Sequence, residues 1–138
     1  MDKSPRESLT LAPSGDVVHV VQLTDTHLCR TRGGKLLGMD TDHSLQAVID
    51  QALRERPVID LVLGTGDLAD GGAREAYQRL QDYFAQVSGD HFWLPGNHDD
   101  RQAMVSEADS PPRLRPELRI GRWQVLMLDS QVPGEVGG

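Results

Sequence analysis

Three short segments of the chain combine carboxylate, amide and imidazole side chains, which bind divalent metals through oxygen and nitrogen. The segments are Asp25-Thr26-His27, Gly66-Asp67-Leu68-Ala69-Asp70 and Gly96-Asn97-His98-Asp99. Each segment alone also suits ordinary structure, because Asp, Asn and Gly are common in turns and at helix starts. Their recurrence after three separate apolar runs is what indicates a function.

This donor set contains no thiolate, which favours Mn, Fe, Zn or Mg over a cysteine-rich structural zinc site. Two metals about 3.5–4 Å apart need a shared ligand, and Asp67 on the middle segment is the natural bridge. Asp25 and His27 alternate along the chain, so a slight twist would turn both toward one metal. Asn97 offers an amide oxygen to the other metal, and the adjacent His98 stays free to face a substrate.

The apolar runs before these segments predict the strands that position them. The Val-rich run at 16–24 has no helical period and predicts a strand buried on both faces. The runs at 58–64 and 91–96 predict two more strands. In a parallel sheet, ligands lie outside the carboxyl ends of the strands, which is where the three segments fall.

Two amphipathic helices are predicted between these strands. The first lies between Thr41 or Asp42, either of which would cap it, and Pro57, which would stop it. The second lies within 71–90 and has one apolar face, formed by Ala73, Ala76, Tyr77, Leu80, Phe84 and Val87. Alternating strands and helices predict an α/β fold with a parallel sheet. A short helix at 99–107 and a hairpin from residue 117 should follow.

Composition limits the function classes. The chain has 138 residues and a formal net charge of −7, which argues against nucleic acid or an anionic lipid surface as the partner. A small anionic substrate fits, because a bound divalent metal reverses the local field. Its apolar runs are far shorter than the ~20 residues of a membrane span, so we expect a cytoplasmic protein. The oligomeric state is left open.

The three segments together resemble the first three motifs of the calcineurin-like metallophosphoesterases. The sequence around them resembles the class III cyclic nucleotide phosphodiesterases, the bacterial branch that hydrolyses 3′,5′-cyclic AMP. The segments that carry this resemblance include QLTDTHL, DLVLGTGDLAD, WLPGNHD and LMLDSQVPGE. The resemblance covers residues 17–138, and residues 1–16 are expected to form a flexible N-terminal arm.

The resemblance implies a layered α-β-β-α fold, of which this chain would hold the N-terminal βαβαβ half plus a β-hairpin. The family's later motifs, a single metal-binding His and Gly-His-x-His, have no match here. We therefore expect 17–138 to be the N-terminal part of the family's domain, with an open sheet edge. His19, His43 and His91 are expected to be structural or solvent-facing rather than metal ligands.

The resemblance also implies a role for each site residue. Asp25 and His27 would bind one metal, Asp67 would bridge both and Asn97 would bind the second. The two divalent ions would most naturally be Fe or Mn, with Zn or Mg as alternatives. His27, Asp67, Asn97 and His98 would surround the substrate phosphate.

The implied reaction is hydrolysis of a cyclic nucleotide to its 5′-monophosphate by a hydroxide that bridges the metals. His98 would assist departure of the leaving group, and Asp70 would orient it as the second catalytic residue. Turnover would be impaired without the later motifs. The alternatives are a non-catalytic metal-binding relative, and a phosphomonoesterase or nucleotidase of the same family.

Two further residue types are expected in the interior. Trp93 and Trp123 both lie in predicted strands and are expected in the core rather than in a base-stacking surface. Cys29 is the sole cysteine, so no intramolecular disulfide forms, and we expect it to be a small buried side chain.

Overall fold

The computed structural model describes residues 8–107 and 113–137. Along the chain the elements are β1 (Ser8–Leu11), β2 (Val20–Leu23), β3 (Lys35–Leu36), β4 (Met39–Asp40), α1 (Thr41–Glu55), β5 (Leu61–Thr65), α2 (Arg74–Ala85), β6 (His91–Leu94), α3 (Arg101–Glu107), β7 (Glu117–Ile120) and β8 (Trp123–Leu126).

The first sheet is parallel and has the order β2-β5-β6, with α1 and α2 as the connections between its strands. This confirms the predicted alternation of strand and helix. Leu23 pairs with Gly64, and Gly64 pairs with Trp93. The register therefore ends all three strands at one edge, from which the three segments with candidate metal ligands continue.

Strand β2 corrects one prediction. It is not buried on both faces, because Val20 is 46% exposed and Gln22 is exposed, while Leu23 is buried. Among the described residues β2 pairs only with β5, so it lies at the edge of the sheet. A Val-rich run predicts a strand, but the number of its neighbours depends on the rest of the fold.

The main core lies between this sheet and the two longer helices. Helix α1 contributes Leu45 and Ile49. The predicted apolar face of the second helix is confirmed for Ala76, Tyr77, Leu80 and Phe84 on α2 and for Val87 just after it, and Tyr83 joins them, whereas Ala73 is the N-cap of α2 and lies outside this core. The N-cap of α1 is Asp40, whose side chain accepts a hydrogen bond from the His43 N–H (2.9 Å). It precedes both candidate caps, and the second of them, Asp42, is buried in other contacts.

A second core separates the first sheet from another three-stranded sheet, with the order β1-β7-β8. Strand β7 is parallel to β1 and antiparallel to β8. The side chains between the sheets are Leu11, Leu61, Phe92, Leu118, Ile120 and Met127. Helices, first sheet and second sheet thus form successive layers of a mixed α/β fold, as predicted.

Strand β1 corrects the prediction of a flexible arm at 1–16. Ser8–Leu11 pairs with Glu117–Ile120, and Leu11 is buried between the sheets. Farther along, the Ser14 N–H donates to the buried carboxylate of Asp60 (2.7 Å). Residues 1–7 lie outside the described residues. The long-range partners of this segment are more than 40 positions away, so local sequence could not identify them.

The two tryptophans have different environments. Trp93 is fully buried as predicted, whereas Trp123 is 67% exposed, so its assignment to the core was wrong. Trp123 begins β8, the outer strand of the second sheet, whose Leu126 is also exposed. The exposed apolar residues of β2 and β8 fit the expected open sheet edge.

Cys29 was expected to be a small buried side chain, but it is only half-buried.

The remaining histidines lie away from the metal-binding segments: His19 is half-buried, His43 is exposed and His91 is buried. Each differs in environment, but none belongs to a group of potential metal ligands in the described part of the chain.

Among the described residues, no helix combines the length and the hydrophobicity that crossing a lipid bilayer requires.

His91 makes the stability of the chain sensitive to acid. Burial, followed by the nearby positive charge of Arg113, lowers the pKa of His91 to about 3. The Trp93 Nε1–H donates to His91 Nδ1 (3.1 Å), so the neutral ring is the form that fits. Between pH ~6.5 and ~3 the unfolded chain binds a proton here that the folded chain does not, so stability falls as the pH falls.

We expect His91→Asn, which keeps an acceptor for Trp93 but cannot be protonated, to reduce this acid sensitivity. At about pH 5 the wild-type protein should lose about 2 kcal/mol more unfolding free energy, relative to about pH 7.5, than the variant. Urea denaturation at both pH values measures the difference. Equal losses in the two proteins would show that His91 titrates normally in the fold.

Candidate metal centre

The loops after β2 and β5 run side by side at the sheet edge. The Asp25 N–H donates to the Gly66 carbonyl (2.9 Å), and the His27 N–H donates to the Asp67 carbonyl (2.9 Å). The next residue continues the contact, because the Leu28 N–H donates to the Leu68 carbonyl (3.0 Å). This hydrogen-bonded pairing brings Asp25, His27 and Asp67 together.

The same three site residues adopt left-handed backbone conformations. Their φ angles are 57° at Asp25, 45° at His27 and 48° at Asp67. Asp and His occupy this region more readily than most residues, yet each such position stores about 1–3 kcal/mol of strain. The sequence suggested an extended segment with a slight twist. The observed conformation is a much sharper turn, which the interloop hydrogen bonds hold in place.

The loop after β6 approaches Asp67 so closely that only glycine fits at position 96. A Cβ on Gly96 would lie 2.5 Å from the Asp67 backbone nitrogen and 2.3 Å from Asp67 Oδ1. Gly66, with φ of 102°, faces the backbone of Gly96 from the other loop. Glycine at these two positions therefore lets the second and third motifs meet.

Asp99 ties these two loops together. Its buried carboxylate accepts hydrogen bonds from the main-chain N–H groups of Leu68 (3.2 Å), Ala69 (2.9 Å) and Gly96 (2.8 Å). The Tyr77 hydroxyl also donates to it (2.7 Å). Burial, together with the Asp99 charge, raises the pKa of Tyr77, so the hydroxyl remains a donor. In the sequence Asp99 stands out only as a motif residue, because its hydrogen-bond partners Leu68 and Ala69 are about 30 positions away.

His27 presents one ring nitrogen to the cluster. Its Nδ1 lies 3.1 Å from Asp70 Oδ1, and since a carboxylate only accepts, the ring donates its Nδ1–H there. The lone pair of Nε2 then faces Asp25 Oδ1 at 3.7 Å and Asp67 Oδ2 at 3.9 Å. Three electron-rich atoms thus face one another across a small space, an arrangement that a cation would stabilise.

The spacing of these atoms fits a shared metal ion. Oxygen and nitrogen ligands bind metals such as zinc at about 2.0–2.2 Å, so two ligands of one ion lie roughly 3–4 Å apart. A carboxylate that orients a metal-binding histidine from behind, as Asp70 orients His27, is a common feature of metal sites. Asp70 was expected to orient His98, but in the structure its carboxylate makes its short contact with His27.

Asn97 completes the site on the other side of Asp67. The end of its side-chain amide lies 3.3 Å from both Asp67 carboxylate oxygens. With the amide oxygen turned toward Asp67, three acceptors converge with no donor among them, which suits a cation. With the amide nitrogen turned inward, the NH₂ group donates to the carboxylate. Asn97 thus has a partner both with and without a metal.

His98 is held beside the cluster by main-chain contacts. Its N–H donates to Asp67 Oδ1 (3.0 Å), and its Nδ1 lies 3.0 Å from the Asp70 carbonyl oxygen. A carbonyl only accepts, so His98 donates through Nδ1 and keeps Nε2 available for a substrate. The Asp70 carboxylate is farther from this ring, at 3.5 Å. Asp70 thus contacts both histidines, His27 by its side chain and His98 by its main chain.

All six residues expected at the site lie together at the sheet edge: Asp25, His27, Asp67, Asp70, Asn97 and His98. Asp25, Asn97 and His98 are exposed, so the site is open to solvent. A cavity of about 290 Å³ adjoins it, lined by Asp25 and His27 on one side and by the β3–β4 hairpin and α1 on the other.

A family model described as calcineurin-like phosphoesterase matches residues 18–131, most of the chain. The chain belongs to the calcineurin-like phosphoesterase family. This confirms the resemblance of the three motifs, and membership implies divalent metal ions at a cluster whose side chains suit them.

Curated relatives within this family include cyclic nucleotide phosphodiesterases. The chain is 41% identical to the 3′,5′-cyclic adenosine monophosphate phosphodiesterase CpdA of Pseudomonas aeruginosa, over 96% of this chain and 48% of the relative. It is 40% identical to the CpdA of Escherichia coli K12, over 91% and 47%. It is 34% identical to a cAMP/cGMP dual specificity phosphodiesterase of Mycobacterium tuberculosis, over 91% and 42%. The chain thus spans about half the length of these relatives.

We expect Gly96→Ala to weaken metal binding, because the added Cβ must displace Asp67. The matched control is Gly71→Ala, since a Cβ at Gly71 would meet nothing within 4 Å although it follows Asp70 directly. Calorimetric titration with Mn²⁺ should show at least a roughly tenfold weaker affinity for Gly96→Ala and no change for Gly71→Ala. Unchanged affinity in Gly96→Ala would contradict the assigned contact between the loops.

Proposed function

We propose that this chain carries the N-terminal metal-binding half of a phosphodiesterase that hydrolyses a 3′,5′-cyclic nucleotide, cyclic AMP first, to the 5′-monophosphate. The observation that carries the proposal is the convergence of Asp25, His27, Asp67 and Asn97 on a space bordered mainly by electron-rich atoms. The names of the relatives support the choice of substrate.

The four convergent side chains would hold two divalent ions, with Asp67 shared between them. Carboxylate, imidazole and amide ligands favour Mn or Fe, with Zn or Mg as alternatives. When bound, such ions polarise phosphoryl oxygens and make water a stronger nucleophile. Asp70 keeps the Nδ1–H of His27 engaged, so that Nε2 is the ring atom presented to the metal.

His98 would act on the leaving group. In the reaction, a water oxygen adds to phosphorus, the bond from phosphorus to O3′ breaks, and O3′ takes up a proton. Because His98 Nδ1 is engaged by the Asp70 carbonyl, Nε2 of the protonated ring is the atom that would give this proton. The exposure of His98 leaves room for a substrate on that side.

The overall charge supports a small-molecule substrate. At −7, the chain would repel a polyanion such as nucleic acid, whereas metals within the site would attract a single phosphate diester. Absence of nucleic acid and membrane partners, and a cytoplasmic location, remain predictions.

The function is tested by separating metal binding from chemistry. Asp67→Asn should lower Mn²⁺ affinity and cyclic AMP hydrolysis together, because it removes the negative charge of the shared ligand and one of the two oxygens that would reach the two ions. His98→Asn should leave Mn²⁺ affinity unchanged and slow hydrolysis by about 10²–10⁴-fold. The control is Asp50→Asn, an exposed carboxylate on α1, which should behave as wild type.

Calorimetry with Mn²⁺ and chromatography of the nucleotide products give both readouts, on this chain and on a chimera in which residues 18–131 replace the matching segment of the Pseudomonas aeruginosa relative. Metal binding without hydrolysis in either protein would support the non-catalytic alternative. Faster hydrolysis of a phosphomonoester than of cyclic AMP would support a phosphomonoesterase. Full activity of Asp67→Asn would overturn the assigned metal centre.

A further inference from the structure

The segment that follows the loop after β2 contacts a half-buried arginine of α2. Arg79 lies on α2, 13% exposed, and reaches across to the main chain just after His27. Its Nη2–H donates to the Cys29 carbonyl (2.5 Å), and its Nη1–H donates to the Arg30 carbonyl (2.9 Å). These carbonyls are two and three residues beyond His27.

Asp42 balances the charge of this arginine. The Arg79 Nε–H donates to Asp42 Oδ2 (2.9 Å), and Nη2–H donates to Oδ1 (3.2 Å). The Tyr83 hydroxyl (2.8 Å) and the Gly33 N–H (3.2 Å) donate to the same carboxylate. Burial would raise the pKa of Asp42, but the hydrogen bonds from Arg79, Tyr83 and Gly33 outweigh it and lower the pKa. Arg79 therefore faces an ionised partner.

This network is placed where the metal-binding loop needs support. His27 has a strained φ of 45°, and relaxing it would turn the imidazole away from Asp25 and Asp67. The pairing with the β5 loop resists this relaxation at His27 itself and at Leu28, on both sides of the strained residue. Beyond Leu28, Arg79 donates to the next two carbonyls and fixes the direction in which the chain leaves.

We propose that Arg79 is a positioning residue for the metal centre, which holds the Cys29–Arg30 main chain so that His27 Nε2 faces Asp25 and Asp67. This inference rests on the proposed function only in treating His27 as a metal ligand. Arginine suits the task because its planar fork donates to two carbonyls and a carboxylate at once, which the single ammonium of lysine cannot reproduce.

Arg79→Lys and Tyr83→Phe separate positioning from general stability. Arg79→Lys keeps a positive charge beside Asp42 but loses the grip on the carbonyls. Tyr83→Phe removes a hydrogen bond to the same carboxylate without touching residues 29–30, so it serves as the matched control. A second control, Arg74→Lys, alters an exposed ion pair with Glu107 on the same helix.

Two measurements on the 138-residue chain test whether Arg79 positions His27. Calorimetric titration with Mn²⁺ should show about tenfold weaker affinity for Arg79→Lys and wild-type affinity for both controls. In the metal-free chain, ¹⁵N NMR of the His27 ring should show the Nδ1–H tautomer in wild type and both controls, and a mixture of tautomers in Arg79→Lys.

The proposal is overturned if Arg79→Lys keeps the His27 tautomer of wild type, or if Tyr83→Phe disturbs it equally. The NMR measurement tests the role of Arg79 even if the wild-type chain binds no Mn²⁺. Absence of Mn²⁺ binding in wild type would instead count against the proposed function. Should Arg79→Lys fail to fold, Arg79→Gln combined with Asp42→Asn removes the buried charges together and is read by the same two measurements.

Discussion

The site depends on main-chain groups being held at fixed distances, and one buried carboxylate does much of this. Asp99 accepts hydrogen bonds from N–H groups in two different loops, so the second and third motifs move as one unit. The first motif joins them through the ladder between Asp25–Leu28 and Gly66–Leu68. The candidate metal ligands Asp25, His27 and Asp67 can then project from strained backbone positions, because no single loop bears the strain alone.

The same arrangement concentrates like charge. Asp25, Asp67 and Asp70 surround two imidazoles within a few ångströms, and the Asn97 amide lies against the Asp67 carboxylate. Without a cation their mutual repulsion opposes folding, and with one it becomes binding energy. Strained backbone positions and closely spaced acceptors therefore coincide at the candidate metal centre.

Two charged side chains, Asp99 and Arg79, hold the loops of the site through hydrogen bonds to main-chain groups. Asp99 holds the edge formed by the loops after β5 and β6, whereas Arg79 with Asp42 holds the segment that leaves the loop after β2. Asp99 lies in the loop after β6, two residues before α3, whereas Asp42 lies on α1 and Arg79 lies on α2. Through this last pair, the helical layer contacts the main chain next to the candidate metal centre.

Several features were determined by the sequence itself. Periodicity identified the helices and the strands of the first sheet, and the three motifs identified every residue expected at the site, because residue type and chain order are local information. Tertiary structure decided the rest. It placed Ser8–Leu11 in the second sheet, left β2 at an edge and exposed Trp123, since strand neighbours come from distant parts of the chain. It also brought Asp99, Asp42 and Arg79 to the hydrogen-bond partners described above. These look like ordinary capping or surface residues in the sequence, and acquire their function only when folding brings their distant hydrogen-bond partners within reach.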